Sequence, residues 1–157
     1  MAKKEQVLFR EVQKNNNVFV WVITVGLAAL MWYGFVQQIV FGHPFGDHPA
    51  PDAMVIIFLI AFGIGFPIFA WSAKLITEVR TDGLYVRFIP FHLRYKKFSL
   101  DGIDSYQSIT YSPLGRFGGW GIRFNFKGEM AYNMSGKLGL EIRYQSGVIV
   151  IGSKNPF

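Results

Sequence analysis

The chain has 157 residues, of which 51% are apolar, 17% aromatic and only 17% charged, with a formal net charge of +6 and no cysteine. The lack of cysteine excludes disulfides, cysteine-ligated zinc or iron–sulfur centres and thiol catalysis. A soluble domain usually carries about 25% charged residues, so this composition indicates that part of the chain faces something other than water.

Two uncharged apolar segments predict a transmembrane helical hairpin. They cover residues 18–41 and 53–73, and a bilayer crossing needs roughly 20 residues. In lipid each backbone amide must be paired within the segment, which favours helices. The alternatives are two buried helices of a soluble protein, which so small a domain could not cover, and a signal peptide, whose apolar stretch is shorter and ends in a cleavage site.

The distribution of basic residues predicts the orientation of this hairpin. The N-terminal tail, residues 1–17, and the region after residue 73 are rich in Lys and Arg, whereas the connection at residues 42–52 has none. The positive-inside rule therefore places both termini in the cytoplasm and the connection outside the cell (inner) membrane. Residues 74–157 are then a cytoplasmic domain. Neither span contains an ionisable residue, which argues against ion-coupled transport.

Small residues in the second span predict close helix packing. Ala61 and Gly65 are four residues apart, and Gly63 lies between them. Small side chains let helices approach closely in lipid. The first span of the same chain is the preferred neighbour, and a contact with another chain is the alternative.

The outer connection contains a weak candidate for a metal site. His43 and His48 are accompanied by Asp47 and Asp52, and imidazole and carboxylate groups can bind divalent metals. Their spacing matches no established zinc pattern, so loop polarity and helix capping are the preferred explanation. The prediction is therefore no metal and no cofactor.

Beyond residue 74 the apolar pattern changes from helical to alternating, which predicts β-strands. Thr81-Asp82-Gly83 and Gln145-Ser146-Gly147 suit tight turns. About seven short strands follow from this pattern and predict a small antiparallel barrel or sandwich. The predicted strands lie near residues 75–80, 84–89, 93–99, 105–111, 120–126, 130–134 and 138–151, the last being a hairpin of two.

Several segments carry a resemblance to a known family. They are the run from Thr77 to Val86 (TEVRTDGLYV), GGWGIR at 118–123, YNMSG at 132–136 and the closing IGSKNP at 151–156. Most of residues 53–157 resembles the bacterial pleckstrin-homology-like (PH-like) membrane proteins, which mostly have no assigned biochemical function. The resemblance implies a seven-stranded barrel that a C-terminal helix normally plugs. Here the sequence stops at Phe157, so we expect the membrane, a partner or a further segment to cover that end.

The basic residues of the predicted domain are the remaining functional signal. Arg87, Arg94, Lys96 and Lys97 fall on neighbouring predicted strands after the second span. A basic side chain near an anionic leaflet contributes about 1 kcal/mol, so these residues are candidates for binding lipid headgroups. Ordinary positive-inside bias explains the same residues and is preferred. There is no recognisable nucleic-acid-binding motif.

The sequence indicates the function less clearly than it indicates the architecture. The carboxylates are scattered, mostly at predicted turns, and no acid–base pair suggests an enzyme. The leading hypothesis is a non-catalytic accessory or structural subunit of a larger membrane protein complex, with other membrane proteins and lipids as partners. The alternative is a stand-alone membrane-anchored module that binds anionic lipid headgroups. A channel component is a weaker third hypothesis, because neither span has a polar stripe.

Overall fold

A computed structural model describes residues 6–155 of the chain. It divides into two compact units: a helical unit, Asn16–Ser72, and a β unit made of Met1–Asn15 together with Ala73–Phe157.

The helical unit is a hairpin of two helices, α1 (Val18–Val40) and α2 (Asp52–Ser72), which are long and apolar enough to cross a membrane by length and composition. Both contain a π-helical segment, Val36–Val40 in α1 and Leu59–Gly65 in α2. The Asn17 side chain caps α1 by accepting a hydrogen bond from the backbone of Phe19, which satisfies one of the unpaired amides of the first turn.

The two helices contact each other at Gly63, one of the predicted small residues. Gly63 is buried, and a Cβ there would lie 2.7 Å from Leu59 Cδ1 and 3.4 Å from Met31 Cβ of α1. Trp32 of α1 donates its indole N–H to the Gly63 carbonyl at 3.3 Å. Ala61 and Gly65 are exposed instead. Within the hairpin, therefore, Gly63 makes the close approach, and the Ala61–Gly65 pair does not.

In the described part of the β unit, two sheets and one short helix, α3 (Pro113–Phe117), follow from the alternating sequence. The first sheet has the order β1-β2-β3-β4 and the second the order β5-β8-β9-β7-β6; β7 and β9 are parallel and the other pairs antiparallel. The strands are β1 Val7–Lys14, β2 Lys74–Arg80, β3 Gly83–Ile89, β4 Lys96–Phe98, β5 Ile103–Thr110, β6 Gly121–Phe124, β7 Met130–Asn133, β8 Leu138–Tyr144 and β9 Gly147–Gly152.

The core of the β unit lies between the two sheets. Leu75 and Val86 of the first sheet and Tyr132 and Ile151 of the second are almost completely buried in one apolar cluster. The sheets remain separate and do not close into a barrel. The sequence predicts either a barrel or a sandwich, and the structure has two packed sheets. Alternate residues of each sheet supply the core from opposite sides.

The N-terminal segment differs from the sequence-based division of the chain. Residues 1–17 were expected to form a tail, but Val7–Lys14 is strand β1 and pairs along its length with β2. Gln13 of β1 is fully buried and donates a hydrogen bond from Nε2 to the Gly152 carbonyl at 2.6 Å. The chain thus leaves this sheet at Asn15, forms the hairpin, and returns to the neighbouring strand at Ala73.

Candidate functional site

Strand alternation gathers basic side chains on the outer face of the first sheet. Gln13 and Leu75 are fully buried toward the core, and neighbouring side chains in a strand point to opposite faces. Lys14 and Lys74 therefore point outward. We call the basic residues that share this side the basic face; they are Arg10, Lys14, Lys74, Arg80, Arg87 and Lys97.

Glu78 lies at the centre of the basic face and holds several of its groups together. Its side chain is only 6% exposed. Arg80 donates to Glu78 from Nε at 3.0 Å and from Nη2 at 2.7 Å, Tyr95 donates its hydroxyl at 2.8 Å, and Arg10 lies 3.4 Å away. Burial raises the pKa of Glu78, but these hydrogen bonds and positive charges outweigh burial and leave the pKa below its ordinary value.

Two tyrosines support the cations of the basic face. The Arg80 guanidinium lies 4.1 Å from the ring centre of Tyr85 and 5.3 Å from that of Tyr95, and Arg87 lies 5.8 Å from Tyr95. A cation over an aromatic ring gains about 0.5–1 kcal/mol at an exposed site. The rings therefore help to hold the guanidinium groups in place. The charge of Arg80 is paired with Glu78, whereas Arg87 has no carboxylate within ion-pair distance in residues 6–155.

The charge of Lys97 is paired, like that of Arg80. Lys97 forms a close ion pair with Asp82, whose carboxylate also accepts the Tyr85 hydroxyl at 2.7 Å. The hydrogen bond to Asp82 raises the pKa of Lys97, and the hydrogen bond from Lys97 lowers the pKa of Asp82. The two charges largely cancel, so Lys97 adds little to the net field of this side.

Lys14 and Lys74 provide the clearest excess of positive charge. They are direct cross-strand partners in the β1–β2 register. Within residues 6–155 neither lysine has a carboxylate within ion-pair distance. Like charges directly opposite each other destabilise a sheet, and a bound anion would remove that repulsion.

The four predicted headgroup residues do not form one cluster. Arg87 and Lys97 lie on the basic face, whereas Lys96 points to the other side of β4, with its ammonium 5.5 Å from the Phe98 ring centre and 5.8 Å from that of Tyr132. Arg94 lies in the exposed connection between β3 and β4. Arg10 and Lys14 belong to the basic N-terminal segment that the sequence also associates with a lipid-facing surface, and the β1–β2 pairing brings them to the basic face.

The weak metal candidates remain separate side chains. His43 and His48 are exposed, and His48 Nδ1 lies 2.8 Å from the backbone oxygen of Asp47. Asp52 accepts a hydrogen bond from Gln38 at 2.8 Å. In the part of the chain that the structure describes, no group of three His, Asp or Glu side chains is placed to hold a metal ion.

Comparison with known proteins gives a family and no function. No curated protein and no solved structure matches the chain significantly. The sequence profile of DUF6141, described as a family of unknown function, matches residues 1–156. Because this match covers nearly the whole chain, including β1, both apolar helices and the second sheet, the chain belongs to the DUF6141 family of unknown function.

Proposed function

We propose that this chain is a non-catalytic integral membrane protein whose basic face binds anionic lipid headgroups at the cytoplasmic surface of the cell membrane. The observation that carries the proposal is the cross-strand pair Lys14 and Lys74, two cations without a carboxylate partner in residues 6–155. Lys14 precedes α1 by three intervening residues and Lys74 follows α2 by one. Connectivity alone therefore keeps this pair near both ends of the hairpin.

The exposure of the hairpin supports its place in a membrane. Phe19, Val22 and Trp71 are 71%, 63% and 77% exposed, although they are large apolar side chains whose contact with water is unfavourable. The β1–β2 pairing also joins both ends of the hairpin to one sheet, which agrees with the orientation that the positive-inside rule favours. The PH-like relationship belongs to the same proposal; the described part of the β unit differs from the seven-stranded barrel that it implies, because its nine strands form two separate sheets.

Headgroup binding can be measured by native mass spectrometry of the full chain in mild detergent with equal amounts of phosphatidylglycerol and phosphatidylcholine. We expect preferential retention of phosphatidylglycerol that weakens as ammonium acetate rises, because salt screens exposed charges. The Lys14→Gln/Lys74→Gln variant should bind phosphatidylglycerol roughly thirtyfold more weakly, which is equivalent to about 1 kcal/mol for each charge removed. Lys127→Gln/Lys137→Gln, with the same charge change elsewhere, is the control. Equal retention by both double variants would overturn the proposal.

A subunit role in a larger membrane complex is the second candidate, and the exposed side of α2 favours it. Ala61 and Gly65 are exposed and so remain available for close packing with another helix. Mild-detergent extraction from native membranes, followed by native mass measurement, tests this role. Stoichiometric recovery with other membrane proteins would support it, and recovery of the chain alone would exclude it.

A further inference from the structure

A partly open cavity of about 310 Å³ lies between the inner faces of the two sheets of the β unit. Strands β1, β2 and β3 line one side, and β8, β9 and the segment after β9 line the other. Its walls are mainly apolar and are formed by Phe9, Val79, Leu84, Leu140 and Ile151.

The polar groups of the cavity come from three neighbouring segments. Glu11 of β1 accepts hydrogen bonds from the Ser153 hydroxyl at 2.6 Å and from the Lys154 backbone N–H at 2.8 Å. Thr77 of β2 also lines the cavity, but its hydroxyl oxygen is completely enclosed and does not face the open space. Among the described residues of the lining, Glu11 is the charged one.

The size of the cavity limits what can occupy it. One turn of an α-helix with its side chains needs on the order of 500 Å³, so a helix of a partner protein does not fit. Small-molecule pockets begin at roughly 300 Å³. A single unbranched alkyl chain matches both this volume and the apolar walls, whereas a two-chain lipid is too large.

The charge at the cavity selects the head of the ligand. The Glu11 carboxylate would repel a fatty-acid carboxylate, and carboxylates only accept hydrogen bonds when ionised. A hydroxyl or an amine can donate a hydrogen bond to Glu11. The apolar walls, the volume and the Glu11 carboxylate therefore favour the same class of molecule.

We propose that this cavity binds a free single-chain amphiphile whose head is a hydrogen-bond donor without negative charge, an alkyl alcohol or alkylamine. Its chain lies against Phe9, Leu140 and Ile151, and its head donates a hydrogen bond to Glu11. This site lies between the sheets and is distinct from the outward-pointing basic face, so either can fail without the other.

The test uses the full chain in neutral phosphatidylcholine nanodiscs and photoreactive diazirine probes with about ten carbons, a length suited to the lower end of pocket volumes. One probe is an alkylamine and the other an alkyl carboxylate. We expect the amine probe to label peptides that carry Leu140 and Ile151, and decylamine to compete with it. The carboxylate probe should leave these peptides unlabelled.

Matched variants separate cavity binding from nonspecific labelling. Leu140→Trp fills the cavity and should reduce labelling by about tenfold, while Leu114→Trp, at an exposed position outside the cavity, should not. Glu11→Gln should admit the carboxylate probe. Glu11→Gln removes the negative charge with little change of shape, so this result can be obtained even if Leu140→Trp fails to fold. Absence of amine-probe labelling from the cavity peptides of the wild type, or a Glu11→Gln protein that still excludes the carboxylate probe, would overturn the proposal.

Discussion

Lys14 and Lys74 lie directly opposite each other on neighbouring antiparallel strands, one before the helical hairpin and one after it. A direct like-charge pair is unfavourable in a sheet, yet the buried neighbours Gln13 and Leu75 fix both lysines on the outer side. The fold therefore holds two positive charges together at the point where the chain enters and leaves the hairpin. This arrangement links the stability of the β unit to the anions around it.

The first prediction concerns the stability of this lysine pair. In neutral detergent, Lys74→Gln should raise the free energy of unfolding by about 0.2–1 kcal/mol because it removes the cross-strand repulsion. With phosphatidylglycerol added, the wild type should gain more stability than the variant, since bound ligand stabilises the folded state. Thermal unfolding in both conditions provides the measurement, and Lys137→Gln is the control. A destabilised Lys74→Gln in neutral detergent would contradict the repulsion.

The sequence predicts strands well where one face is consistently apolar. In β3, Leu84, Val86 and Phe88 point to the core as the alternation indicated. The sequence does not predict strand β1, because its inward positions include the polar residues Glu11 and Gln13, which interrupt the apolar–polar alternation. Their burial depends on Gly152 and Ser153, more than a hundred residues away in the chain. Local patterns carry no information about such partners.

The candidate site could be predicted only in part for the same reason. Lys96 and Lys97 are adjacent in sequence, so their strand must send them to opposite faces, and the structure does so. The cross-strand neighbours of Arg87 and Lys97, by contrast, depend on register. Lys14 joins them only because β1 pairs with β2, a pairing across the entire hairpin.

The second prediction tests the attachment of β1 to the second sheet. Gln13→Ala should destabilise the β unit by about 1–3 kcal/mol, because the buried Gly152 carbonyl loses its partner and a side-chain volume is lost. Val12→Ala, at an exposed neighbouring position, is the matched control and should have a smaller effect. Urea unfolding followed by the fluorescence of Trp120, with Trp21, Trp32 and Trp71 replaced by Phe, reports on this unit alone. Equal effects of both variants would show that β1 contributes no specific hydrogen bond.

The third prediction distinguishes the two sides of α2. Gly63→Ile should disrupt the hairpin, because even a Cβ at this position approaches Leu59 and Met31 within 2.7 Å and 3.4 Å. Ala61→Ile, at an exposed position, should leave the hairpin intact. Thermal unfolding in detergent, measured by far-ultraviolet circular dichroism, compares them. If another chain packs on the exposed side, Ala61→Ile will reduce the amount of that chain that co-purifies. Equal unfolding temperatures of the two variants would argue against the Gly63 contact within the hairpin.

We expect a partly buried ion cluster on the second sheet to contribute, together with Glu78 on the first, to the response of the β unit to acid. Arg116 of α3 donates to Glu129 at 2.9 Å and 3.0 Å and lies 2.7 Å from Glu141, whose side chain is 3% exposed. The hydrogen bond from Arg116 lowers the pKa of Glu129. Burial raises the pKa of Glu141, but hydrogen bonds from Arg116, Arg143 and Gln107 outweigh it, so that pKa is lowered too.

The fourth prediction follows from the sign of these shifts. A carboxyl whose pKa is lower in the folded state contributes stability above its unfolded pKa of about 4.3 and loses it as the pH falls through the folded pKa. The β unit should therefore keep its stability from neutral pH down to about that value and lose it below. Arg116→Met should cost about 2–3 kcal/mol at neutral pH by removing charged hydrogen bonds, and it should flatten the acid limb, because Glu129 and Glu141 lose the Arg116 hydrogen bonds that help to lower their pKa values. Urea unfolding at several pH values, followed by the fluorescence of Trp120 in the same triple-Phe background, measures both effects.

Arg123→Met is the control. Arg123 donates from Nε to the backbone oxygen of Trp120, and its loss should leave the acid limb unchanged. An Arg116→Met protein with the wild-type pH dependence would mean that these two carboxylates do not govern acid stability.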